Sequence, residues 1–142
     1  MSRVYGTRDD EASIARRLGI PEPEPREQDW AWVHAKPGQL DEYLTLCESE
    51  SLTDGERVVA AEMSIQALEE LIGDSDHGAD LHEEISRLTL LLCRRIHLYG
   101  YTVAYWARLD THLGDAFRVS PYMRLIFSNL PSELRDRFSK GT

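Results

Sequence analysis

The chain has 142 residues, a mass of 16.3 kDa and a formal net charge of −9, from 25 Asp and Glu against 16 Lys and Arg. Hydrophobic residues at 42% and charged residues at 29% are an ordinary globular balance, which excludes collagen-like, mucin-like and wholly disordered classes. One domain with a sizeable core fits this length, and the negative balance opposes nucleic-acid binding through bulk charge.

The opening residues, MSRVYGTRDDEAS, hold no apolar run, so no secretory signal is expected and cytoplasmic residence is the default. Residues 1–29 read as an N-terminal arm, with the helical domain in residues 30–142. Asp9, Asp10 and Glu11 suit the start of a short helix that stops at Gly19. Ser13 to Pro21 resembles the first helix and turn of a helix-turn-helix, the element of many bacterial transcription factors. The resemblance covers nine residues of 142. The second helix would fall on Glu22 to Glu27, where Pro23 and Pro25 break it and three glutamates would face phosphates. Pro21 to Pro25 alternates proline with glutamate and is expected to be an extended spacer.

Trp30 and Trp32 follow at the root of the arm. Leu40, Tyr43, Leu44 and Cys47 share one side of a helix over about residues 39–48. Thr53 and Glu56 form a capping box, which opens a helix running to Ile72 and Gly73. That helix carries two apolar stripes, Val58-Ala61-Ile65-Leu68-Ile72 and Val59-Met63-Leu71 with Ala60 and Ala67, and so is expected to pack on two sides. A further helix opens near Asp80. Its phase runs through Leu81, Ile85, Leu88, Leu92, Ile96 and Tyr99 to Val103 and Trp106, bent or interrupted at Gly100. Residues 101–106 also suit a strand, but no partner strand is evident. Glu83 and Arg87 are placed as an i,i+4 pair. Ser120-Pro121 and Pro131-Ser132-Glu133 start two more helices. The expected fold is all-α, a compact helical domain of about five or six helices.

Charge is unevenly spread. Residues 1–36 sum to −1, residues 37–86 to −13 and residues 87–142 to +5. The middle holds fourteen carboxylates against the single Arg57. Such a face steers association with a basic partner. The C-terminal part carries Arg87, Arg94, Arg95, Arg108, Arg118, Arg124, Arg135, Arg137 and Lys140, interleaved with Tyr99, Tyr101, Tyr105 and Trp106. Single-stranded nucleic acid can use that combination. The same arginines also suit neutralisation of the acidic middle within the fold or between subunits.

Asp74, Asp76, His77, Asp80, His82, Glu83 and Glu84 supply oxygen and imidazole ligands, but without EF-hand register or zincin spacing. A solvated turn feeding a helix N-terminus explains them as well. Cys47 and Cys93 read as reduced, partly buried thiols. His34, His77, His82, His97 and His112 are present, yet no GxSxG, HExxH, Walker loop, GxGxxG or CxxC occurs. No catalytic residue, cofactor site or metal ligand is assigned. The expected function is a non-catalytic protein–protein interaction module, of inhibitor or immunity type by physical analogy, that binds a basic partner. Its contact residues are expected to be Glu62, Glu69, Glu70, Asp74 and Asp76, with Trp30 and Trp32. Homo-oligomerisation through charge complementarity or the arm is a further expectation. The alternatives are a nucleic-acid binder using the Arg/aromatic half and a metal-dependent enzyme using residues 74–84.

Overall fold

The computed structural model describes residues 3–74 and 78–140. Among them are eight α-helices and no strand. They are α1 (Arg8–Leu18), α2 (Trp30–His34), α3 (Leu40–Glu48), α4 (Asp54–Asp74), α5 (His82–Arg94), α6 (Ile96–Ala107), α7 (Ser120–Ser128) and α8 (Ser132–Lys140). Short 3₁₀ turns cover Pro37–Gln39, Gly78–Leu81 and Leu113–Asp115. The all-α class holds, but the helix number exceeds five or six. The expected long helix divides into α5 and α6, and the five residues of α2 form a helix of their own.

α4 is the central element, and α1, α2, α3, α5 and α6 all pack against it. Its two apolar stripes explain this, because Val59, Ala60, Ala61, Met63, Ile65, Ala67 and Leu68 are all buried. The capping box forms as expected. Thr53 N–H donates to Glu56 Oε1 at 2.8 Å, and Glu56 N–H donates to Thr53 Oγ1 at 3.2 Å. Glu56 is itself buried, where it also accepts from Ser13 Oγ and lies 3.7 Å from Arg17.

The segment expected to be an arm contributes to the core. Ile14 and Ala15 are fully buried, and α1 packs on α4. Thr7 caps α1 reciprocally with Asp10, and Gly19 closes it in the left-handed region at φ 70°. The Pro-Glu spacer forms neither helix nor strand. Arg8 ties it back to α1 by donating to the carbonyls of Glu24 and Glu27.

Gly100 does not interrupt its helix, which breaks instead at Arg95, with φ −127° and ψ 45°. Residues 101–106 are helical. Gly100 serves packing: a Cβ there would lie far inside contact distance of Cε2 and Cζ of Phe138. Its bare face lets Phe138 of α8, fully buried, lie against α6, with Tyr101 edge-on at 5.0 Å between centroids. Arg124 of α7 closes the other end of α6. It donates through Nε to the Ala107 carbonyl at 2.7 Å and through Nη2 to the carbonyls of Arg108 and Thr111.

Candidate functional site

The residues expected to meet a partner do not share one face. Glu62 lies in the α4 stretch Val58 to Ile65, whose other members are buried, and it is only partly buried. The Trp32 indole N–H donates to Glu62 Oε2 at 2.7 Å and that of Trp106 donates to the same oxygen at 3.1 Å. Burial pushes the Glu62 carboxyl above its ordinary 4.5, while both indoles, the Thr102 hydroxyl and the Arg3 charge pull it back. Tyr105 stacks on Trp32 at 5.5 Å between centroids. The structure therefore brings together two of the expected residues, Glu62 and Trp32.

The others have separate places. Glu69 accepts from the Val119 N–H at 2.9 Å and from the Arg118 N–H at 3.1 Å, which fixes the turn before α7. Glu70 Oε2 is buried with no hydrogen-bond partner among the described residues. Asp74 is exposed at the end of α4. Trp30 is fully buried, with its ring 5.2 Å from His34. Asp76 and His77 lie outside the described residues. Glu62 and Glu69 thus act as internal acceptors rather than as a solvated patch.

The outward-facing acids gather elsewhere. An open groove of about 760 Å³ runs between the Pro37–Gln39 turn with α3 on one side and Leu81 with α5 on the other. Leu40, Leu44, Leu71, Leu81 and Leu90 supply its apolar lining, and Asp41, Glu83 and Glu84 its carboxylates. Arg87 also lines it but is bound to α3. It donates to Asp41 Oδ1 at 2.6 Å, to Glu48 Oε1 at 2.6 Å and to Thr45 Oγ1 at 3.0 Å. The i,i+4 pair with Glu83 expected from sequence does not form, because α3 offers two carboxylates and a hydroxyl to one guanidinium fork. Glu83 is left with no ion pair within 4.0 Å among the described residues. Glu84 Oε2 is buried and accepts no hydrogen bond among the described residues. The Arg87 hydrogen bond holds the Glu48 carboxyl below its ordinary value.

Sequence reasoning passed over this groove. From sequence, Glu83 and Glu84 read as metal ligands or a helix start, Glu83 also as the i,i+4 partner of Arg87, and Asp41 carries no role of its own. One signal was present: Leu90, in the run Leu90-Leu91-Leu92, falls off the buried phase of Leu88 and Leu92 and is 53% exposed.

Much of the basic C-terminal set is committed inside the chain. Arg118 reaches Glu69, Arg124 holds the α6 terminus, and Arg87 clamps α3. Tyr99 and Trp106 are core residues. Among the described residues, no group of three or more His, Cys, Asp or Glu is arranged to hold a metal ion. Cys47 is buried, with its thiol pushed up to about 12 by burial, whereas Cys93 is exposed rather than partly buried. No helix among the described residues is long and apolar enough to cross a membrane. No family model, curated protein or solved structure matches this chain.

Proposed function

We propose that this protein is a non-catalytic interaction module, of inhibitor or immunity type, that binds a basic amphipathic segment of a partner protein in the groove between α3 and α5. The observation that carries this reading is an apolar groove of about 760 Å³ whose carboxylates Glu83 and Glu84 have no ion pair within 4.0 Å among the described residues. Apolar residues of the partner segment cover the part-exposed Leu71 and Leu81 and the exposed Leu90, and supply affinity. Its lysines or arginines meet Glu83 and Glu84 and supply orientation and rate of encounter. The lone guanidinium at the groove, Arg87, is neutralised by Asp41 and Glu48 and does not repel such a segment.

Fluorescence anisotropy with a labelled, basic amphipathic helical peptide tests the proposal. Glu83→Lys and Leu90→Ser are each expected to weaken binding roughly tenfold, and added salt to weaken the wild type but not Glu83→Lys to the same degree. Equal binding of an acidic peptide of the same apolar pattern contradicts the proposal. The rival reading, a nucleic-acid binder, draws on the exposed Arg94, Arg95 and Arg137. Retardation of single-stranded RNA at low salt that disappears on reversing those three charges would favour it.

A further inference from the structure

We infer that a second pocket, formed by α2, α4, α6 and residues 3–6, binds a small protonated amine with Glu62 as its counter-ion. The cavity measures about 340 Å³, at the lower end of the range for small-molecule sites. Glu62 and Thr102 supply polar groups to its lining, Trp32, Tyr101 and Tyr5 its aromatic walls, and Asp29 and Glu11 further carboxylates. It is a site distinct from the groove between α3 and α5 and shares no residue with it.

Three observations point to a cation. First, an acid is retained in the middle of an otherwise buried helical stretch, and two indole N–H groups orient it. Both indole bonds fall on Oε2 and the Thr102 hydroxyl is a further donor to the carboxylate, so Glu62 is positioned in advance. Second, the lining is acidic on balance. Glu11 lies 3.7 Å from Arg8, but Asp29 has no ion pair among the described residues. Third, the aromatic wall already accepts a cation. The Arg3 guanidinium carbon is 4.6 Å from the Tyr5 ring centroid and 4.9 Å from that of Tyr101.

The same geometry selects among cations. Tyr105 covers one face of Trp32, so the walls do not close into the aromatic cage that a quaternary ammonium needs. A carboxylate fixed in place rewards N–H donors instead. Arg3 lies over Tyr5 and Tyr101 and its charge also acts on Glu62, so an incoming ammonium competes with Arg3 at Glu62 and meets Asp29 without such a competitor. The cavity volume suits a short alkyl amine rather than a cofactor.

Titration of the whole chain with n-butylammonium, followed by calorimetry and by tryptophan emission, tests this inference. Trp32 and Trp106 report directly because both are bonded to Glu62. The expected result is saturable binding with an emission shift, with tetramethylammonium roughly tenfold weaker or more. Glu62→Gln should weaken n-butylammonium by roughly tenfold or more, while Glu42→Gln, exposed on α3, leaves it unchanged. If Glu62→Gln fails to fold, Asp29→Asn is the second variant and should weaken binding by about threefold or more. No saturable binding, equal affinity for both cations, or unaltered affinity in the folded variant would overturn the inference. Leu90→Ser, which weakens binding in the groove, should leave amine binding intact, so the two sites fail or stand separately.

Discussion

The Trp32 indole N–H and the Glu62 carboxylate, 2.7 Å apart, join two segments thirty residues apart in the chain, and Trp106 completes the arrangement from α6. One oxygen of one side chain thereby connects α2, α4 and α6. Glu62→Ala leaves both indole donors without this acceptor and is expected to destabilise the fold by about 1–3 kcal/mol in urea unfolding.

The same carboxyl sets a pH dependence. Burial raises the Glu62 value in the folded chain above 4.5, so the folded state binds this proton more tightly than the unfolded chain does. Stability contributed at this position is therefore greatest below about 4.5 and declines as pH rises through the folded value. Glu62→Gln abolishes the titration while its amide oxygen still accepts from both indoles. Unfolding free energies of the variant should fall less with rising pH than those of the wild type. Parallel profiles would show that Glu62 does not titrate differently on folding.

Arg87 and Glu48 behave in the opposite sense. The guanidinium hydrogen bond lowers the Glu48 value, so this stability is present above the ordinary carboxylate value and is lost as pH falls through the folded one. The pair is solvent-screened, and Arg87→Ala is expected to cost about 1 kcal/mol or less at neutral pH. A difference between variant and wild type that persists unchanged into acid would contradict the assignment.

Gly100 and Phe138 make a packing prediction. Gly100→Ala places a methyl group where the Phe138 ring lies and should cost about 1–3 kcal/mol, with α8 loosened from α6. Phe138→Ala should cost about 3–5 kcal/mol. Limited proteolysis at Arg135 and Arg137 reads the loosening, and wild-type resistance in Gly100→Ala would contradict it.

Local rules made much of this fold legible. The capping box at Thr53, the stop at Gly19 and the two stripes of α4 each depend on residues a few positions apart, and each forms. The misreadings involve distant partners. Gly100 carries a helix-breaking signal locally, but its role is set by Phe138, 38 positions along the chain. Arg87 has a suitable partner four residues back, yet the better geometry comes from Asp41 and Glu48 on another helix. Glu62 stands out by charge, but its place within an apolar run of α4 is the stronger clue. Summed charge marked residues 37–86 as acidic but not which carboxylates face inward. That depends on helix packing, which directs Glu56, Glu62 and Glu69 to internal donors and leaves Glu83 to solvent.

The groove between α3 and α5 is the surface on which the proposed function rests, and residue-resolved NMR titration with a basic amphipathic peptide tests it most directly. Amide and methyl signals of Leu71, Leu81 and Leu90 should shift together and saturate with one dissociation constant, which Leu90→Ser should raise roughly tenfold. Shifts confined to the basic C-terminal half, or spread over all exposed acids without saturation, would contradict a groove-bound partner.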